Sequence, residues 1–243
     1  MYQNIAIIGA SGTIGRAFIN LLSSLNPNAN IYAFSRYGTA KADTQINDNI
    51  KYYGMDYQDE SSIKAASIKA IEYGPLDLVL VTTGILHNDK VMPEKSLTDI
   101  SAQKMKLLFE ANTILPALLI KHFSPLLNTE KSAVCAVLSA RVGSISDNKL
   151  GGWYAYRASK AALNMIIKNA AIEIGRKNKK AIMIGLHPGT VDSPLSEPFQ
   201  RNVPDGKLFT AAFSVESMVK VLNTVTPTQS GQCFAWDGQR IEA

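Results

Sequence analysis

Only two cysteines, Cys135 and Cys233, occur in 243 residues, and neither belongs to a C-x-x-C pair. That excludes a disulfide framework and suits a reducing compartment. Both read as small apolar residues buried in strands. The three histidines, His87, His122 and His187, lack ligand spacing, so no metal site is expected and each reads as a surface or packing residue. Excess charge is small too, a formal +5 spread along the chain. The densest basic run, Arg176, Lys177, Lys179 and Lys180, falls at the expected end of a helix, where cations complement the helix dipole. No nucleic-acid partner is expected. No apolar stretch reaches membrane-spanning length, and no basic leader precedes the first strand. The expectation is a chain without membrane anchor or signal peptide, cytoplasmic by default. There is no Pro/Gly/Ser linker, low-complexity tract or internal repeat, so residues 1–243 read as one domain.

What the chain does have is alternation. Short β-branched runs are expected as strands at Asn4 to Ile8, Ile31 to Ser35, Lys51 to Asp56, Asp77 to Thr82, Ala133 to Ser139, Ala181 to Leu186 and Gln232 to Trp236. Helical patterns separate them: Gly12 to Leu25, Asp59 to Tyr73, Asp99 to Leu127 with Pro116 inside it, Tyr154 to Arg176, and Val215 to Val225. Strand–helix alternation argues for parallel pairing through right-handed crossovers. The fold class is therefore α/β, a single-domain Rossmann-type doubly wound parallel sheet with helices on both faces. The irregular stretch from Pro188 to Thr210 is long enough to expect function of it.

The first strand runs into I-G-A-S-G-T-I-G, placing Gly9, Gly12 and Gly15 between a strand and a helix. Glycines there let backbone N–H groups approach a diphosphate, with the helix N-terminus facing its charge. At the end of the second strand, where an acidic residue would bond the ribose hydroxyls of NAD, stand Ser35 and Arg36. A guanidinium suits a 2′-phosphate, so the expected cofactor is NADP(H). Tyr156 and Lys160 stand four apart, on one helix face. An ammonium beside a phenol is expected to lower its pKa toward the working range, making the pair a proton shuttle. Tyr154 has no lysine at that spacing.

These landmarks, in this order, resemble the short-chain dehydrogenase/reductase family over essentially the whole chain. The glycine turn, Asp56, Gly84, Asn112 in A-N-T-I-L-P-A-L-L, Tyr156 with Lys160, and P-G-T-V-D-S from Pro188 to Ser193 carry the resemblance. The stretch V-L-S-A-R-V-G-S-I-S-D-N-K-L-G-G-W-Y-A-Y-R-A-S-K looks closest to the branch of C-factor signalling proteins and sniffer-like carbonyl reductases. The resemblance implies that Gly9, Ser11, Gly12, Thr13, Ile14 and Gly15 wrap the diphosphate and that Asp56 bonds the adenine amine. It implies that Thr83 and Gly84 lie along the cofactor, and that Pro188, Gly189 and Val191 hold its carboxamide end. Asn112 would hold a water in a relay with Lys160 and Tyr156, and Lys160 would also bond the nicotinamide ribose. The partner implied is a small-molecule carbonyl or alcohol.

Three departures stand out. Thr13 occupies a glycine position of the usual turn, T-T-G (Thr82 to Gly84) replaces N-N-A-G, and Ala140 falls where the family has its catalytic serine, three before Gly143. Ser139 is expected to substitute, with Ser144 next and no serine at all third. A C-factor-like protein that binds the nucleotide with little turnover is the alternative to an enzyme. Asp56 as the cap of the next helix and Asn112 as a mere kink residue near Pro116 are the non-functional alternatives. The Tyr154 to Arg176 helix is apolar around most of its circumference, which predicts a homodimer or homotetramer.

Overall fold

The computed structural model describes residues 2–38, 47–89 and 91–243. Its main sheet has eight strands: β1 Asn4–Ile8, β2 Asn30–Ser35, β3 Ile50–Gly54, β4 Leu78–Val81, β5 Ala133–Leu138, β6 Ala181–His187, and, after a two-stranded ribbon of β7 Thr190–Val191 and β8 Leu208–Phe209, β9 Cys233–Ala235 and β10 Arg240–Ile241. The order across the sheet is β10-β9-β6-β5-β4-β1-β2-β3, and all neighbours are parallel except the β10–β9 pair. β1 pairs with β2 on one side and β4 on the other, so the winding reverses there. The crevice outside the carboxyl ends of strands at such a reversal is where open α/β sheets bind ligands.

The central strands are buried on both faces, which is why they read as continuous apolar runs rather than alternating ones. On one face, α1 (Thr13–Leu25) and α6 (Ala211–Thr224) set Phe18, Ile19, Leu22, Met218 and Leu222 against Ile5, Ile7, Ile182 and Ile184. On the other, α2 (Glu60–Lys69), α4 (Leu115–Phe123) and α5 (Tyr154–Lys177) cover Ala6, Ile8, Val79 and Val137 with Ile63, Phe123, Leu163 and Ile167. Asp77 pins the amino ends of the strands. It accepts from Gln3 N at 2.6 Å and from Asn128 Nδ2 at 3.1 Å, and pairs with Lys131 at 3.0 Å.

The expected helix from Asp99 to Leu127 is broken into α3 (Ala102–Phe109), a π-turn at Glu110–Ile114, and α4 with Pro116 in its first turn. The π-turn runs straight into α4, and the shift it makes in the i→i−4 ladder accommodates a residue that has no N–H to donate. The π-turn carries Asn112, and such bulges recur at functional sites. Residues 188–210 hold the β7–β8 ribbon and a 3-10 segment, Glu197–Asn202.

Candidate active site

β1 delivers the chain into Gly9, at a φ of +89°. A Cβ at Gly9 would lie 2.5 Å from Thr82 Oγ1, and one at Gly15 only 2.2 Å from the Gly9 carbonyl oxygen. The backbone is thus folded so closely that neither position admits a side chain. Gly9 N and Ala10 N both donate to Phe34 O at 3.0 Å, tying the turn to β2. Gly12 is the N-cap of α1, with no side chain capping the first turn and no acidic residue in it. Ser11, Gly12, Thr13 and Ile14 therefore form an uncapped, acid-free helix mouth at the sheet's crevice, suited to an anion. Thr13 begins the helix, so it needs none of the conformational freedom that glycine would supply.

Ser35 and Arg36 have separate tasks. Ser35 is buried; its hydroxyl accepts from Gly38 N at 3.2 Å and its carbonyl from Met55 N at 2.9 Å, so it shapes the turn. Arg36 is exposed, its guanidinium 5.8 Å from the centre of the Tyr37 ring. Asp56 is not the cap of α2; Asp59 is, accepting from Ser61 N at 2.9 Å. The Asp56 carboxylate accepts from Gln58 N at 2.9 Å and remains exposed beyond β3. At the end of β4, the Thr83 hydroxyl is buried without a hydrogen-bond partner among the described residues. Thr82 is satisfied, donating to Ile8 O at 2.8 Å.

Asn112, Gly84 and Lys160 converge. A Cβ on Gly84 would be 3.3 Å from Asn112 Oδ1 and 3.5 Å from Lys160 Nζ. The fully buried Asn112 amide accepts from Ile85 N and donates to Ile85 O, both at 2.8 Å, and donates to Ser159 Oγ at 3.2 Å. It is a brace between the β4 exit and α5, not a by-product of the nearby proline. Lys160 Nζ donates to Leu138 O at 2.9 Å and lies 5.9 Å from the centre of the Tyr156 ring.

The electrostatics correct one expectation. Burial pushes the Tyr156 phenol up to about 12 and holds the Lys160 ammonium down at about 8. Each group loses water from its charged form, and for the phenol that burial is the cause of the shift, in the direction opposite to the one expected. At neutral pH Tyr156 is a protonated acid beside a lysine that still carries its charge.

Both expected serines have their hydroxyls bonded to partners other than the tyrosine. Ser139 donates to Asn164 Oδ1 at 2.6 Å, one helical turn beyond Lys160. Ser144 accepts from Asp147 N at 3.1 Å within its own loop. Ala140 is extended (φ −149°, ψ 145°), so its side chain takes the opposite direction to that of Ser139. The geometry commits the Ser139 hydroxyl to Asn164 on α5. Beyond β6, Gly189 (φ +76°) admits the Phe209 ring, whose Cε2 would be 2.6 Å from a Cβ. The Pro188 carbonyl accepts from Ser214 Oγ at 2.7 Å, and Val191 is buried in β7. His187 is a packing residue, its basicity lowered to about 4 by burial and by Arg141. His122 lies 2.8 Å from Glu60 Oε1.

Three residues escaped the sequence reading: Glu94, Trp153 and Phe199; His87, read as a surface or packing residue, packs on Phe199. Glu94, almost fully buried, accepts from Ala155 N at 3.2 Å, and its carbonyl from Trp153 N at 2.6 Å, so it caps α5 from a distant loop. The G-G-W run before Tyr154 was the available signal, since paired glycines before a helix mark left-handed backbone.

The short chain dehydrogenase family model matches residues 3–204. The chain belongs to this family. This short-chain dehydrogenase is 30% identical over 190 residues to the 1-hydroxy-2-glutathionyl-2-methyl-3-butene dehydrogenase of Rhodococcus sp. (strain AD45), covering 78% of each chain. It is 29% identical over 168 residues to C-signal of Myxococcus xanthus, covering 69% of this chain and 93% of that one. Its structure superposes on the NADPH-bound carbonyl reductase from chicken fatty liver with a TM-score of 0.82 and 25% identity over 99% of each chain. C-signal and a carbonyl reductase are thus among the proteins it resembles, in line with the branch indicated by the sequence. No described helix is long and apolar enough to cross a membrane.

Proposed function

We propose that this short-chain dehydrogenase is an NADP(H)-dependent reductase of carbonyl compounds, with Tyr156 as the proton donor. The observation that carries the reading is the convergence of Tyr156, Lys160, Asn112 and Gly84 beside an uncapped glycine turn. The cradle fits a dinucleotide: Cβ atoms would fill it at Gly9 and Gly15, the α1 mouth is free of acids, and the buried Thr83 hydroxyl has no partner among the described residues. Gly9, Ser11, Gly12, Thr13, Ile14 and Gly15 would hold its diphosphate and Arg36 its 2′-phosphate. Asp56 would meet the adenine, and Pro188, Gly189 and Val191 the nicotinamide end. When bound, the nicotinamide supplies or takes a hydride. Tyr156, protonated at neutral pH, donates its proton to the carbonyl oxygen as that oxygen gains charge. Lys160 stabilises the phenolate left behind, and Asn112 fixes the distance between the β4 exit and α5 on which this depends. The similarity to an NADPH-bound carbonyl reductase supports the same cofactor class.

The test is NADPH oxidation against a panel of aldehydes, ketones and quinones, with Tyr156→Phe as the control. Turnover in the wild type and its loss in the variant support the reading; a variant with the wild-type rate overturns it. One observation favours a second reading. Ala140 offers no hydroxyl, Ser139 is committed to Asn164, and C-signal is among the relatives. A nucleotide-binding signalling protein with little turnover would bind NADPH tightly yet reduce nothing on the panel. With either reading we propose self-association. Met165 and Ile172 on α5 are 61% and 49% exposed, an apolar face suited to a second copy of the chain.

A further inference from the structure

Three aromatic side chains from three separate segments meet beside Tyr156. The Trp153 ring sits edge-on to Tyr156, centroids 6.2 Å apart at 72°, and against Phe199 at 5.0 Å and 60°. Phe199, from the 3-10 segment after β7, meets His87 edge-on at 5.6 Å, and His87 Nε2 lies 3.1 Å from Pro194 O. All three rings are only partly buried, so each keeps some surface exposed.

The backbone is strained to put Trp153 there. Its φ and ψ of 50° and 43° are left-handed, following Gly151 and Gly152 at +66° and +64°, and it is the only non-glycine residue with positive φ among those described. For a bulky residue that conformation is unfavourable and persists only where the surroundings hold it. They do: Trp153 N donates to Glu94 O, the Glu94 carboxylate accepts from Ala155 N, and Arg157 Nε donates to Gly152 O at 3.1 Å. A buried carboxylate, an arginine and two left-handed glycines hold an aromatic ring next to the phenol. A helix N-terminus alone needs none of this; a small polar cap would serve.

We infer that Trp153 and Phe199 form a recognition wall for a flat aromatic or conjugated group attached to the reacting carbonyl. Aryl carbonyl compounds, rather than small aliphatic ones, are then the substrate class. This rests on the carbonyl reductase reading. Offset or edge-on contact with two half-buried rings favours a flat π-system and gives a small alkyl group little to touch. The residues select substrate and take no part in proton transfer.

The test compares 1-phenylpropane-1,2-dione with butane-2,3-dione, which differ by phenyl for methyl beside the same dione. The wild type should prefer the phenyl compound by about tenfold or more in kcat/KM. Phe199→Leu, on an exposed segment, and Trp153→Gly, which relieves the backbone, should each abolish that preference. The effect should lie mainly in KM, with NADPH affinity unchanged. Equal rates on both diones in the wild type, or equal losses on both in the variants, overturn the inference while leaving the reductase reading intact. If no carbonyl is turned over, the reductase reading fails, and saturation-transfer NMR of the two diones on the full chain still decides the wall. A signal from the phenyl protons that disappears in Phe199→Leu supports it; no signal, or one that survives the substitution, overturns it.

Discussion

Lys160→Met should make the protein more stable at neutral pH while removing its activity. The ammonium is buried and its pKa is held at about 8 against an ordinary 10.5. Each pKa unit is worth about 1.36 kcal/mol, so the charged form at pH 7 weighs against the folded state by roughly 3 kcal/mol. Methionine fills a similar volume without the charge. It leaves Leu138 O without the donor now at 2.9 Å, which costs about 1 kcal/mol or somewhat more. The net expectation is a gain of about 2 kcal/mol at pH 7. The pH dependence distinguishes this from mere repacking. Between pH 8 and 10.5 the unfolded chain keeps the lysine proton and the folded chain has lost it, so wild-type stability should rise with pH across that window. Tyr156 acts in the opposite sense only above its ordinary 10.0, where the unfolded phenol ionises and the folded one, at about 12, does not. Urea unfolding at pH 7, 8 and 9.5 measures both effects. The wild type should gain stability from 8 to 9.5 relative to Lys160→Met. Reductase activity should fall with one proton above about pH 8, as Lys160 loses its charge. A variant that is less stable at pH 7, with the same pH slope as the wild type, would refute the reasoning.

Arg36→Ala should weaken NADPH binding by about 10- to 100-fold, the worth of a charge-assisted contact, and NADH by less than about threefold, read by fluorescence titration. Equal wild-type affinities for the two would remove the NADP assignment. Tyr156→Phe should lower turnover by about 10²–10⁴ and leave the NADPH dissociation constant within about twofold. Ser139→Ala should destabilise by about 1 kcal/mol through its lost bond to Asn164, yet keep turnover within about threefold, whereas Ala140→Ser should raise turnover. A collapse of turnover in Ser139→Ala would restore that serine to the mechanism. Met165→Glu with Ile172→Glu should shift the chain to monomer in light scattering; a wild type already monomeric at micromolar concentration counts against self-association.

Most of the architecture was legible because buried parallel strands leave a plain signature. Asn4–Ile8 and Ala133–Leu138 are covered on both faces, so nearly every residue is apolar and the run announces itself. Gly9 and Gly15 were legible for a related reason: where two backbone segments touch, no other residue fits, and the sequence must say so. The Tyr156–Lys160 spacing was legible as helix geometry, but the direction of the pKa change was not, because desolvation depends on what other segments cover. Gly84, Asn112 and Leu138, which meet at Lys160, come from three places in the chain.

The serine shows the same boundary from the other side. Chain position put Ser139 next to the family's serine, and only the end of β5 could say which face it takes. Leu138 is the last strand residue, and Ser139 N still donates to Leu186 O at 2.8 Å, so the alternation of the strand carries through one residue further. That continuation turns Ser139 onto Asn164 and leaves the next position, an alanine, facing the other way. Trp153 falls outside that rule. Its orientation comes from a left-handed backbone that two glycines permit and a distant glutamate enforces, a conformation no helical or strand period can express. Pairwise spacing reports what one element places on one face. The acid strength of Tyr156, the commitment of Ser139 and the orientation of Trp153 are each set by a second element folded against the first.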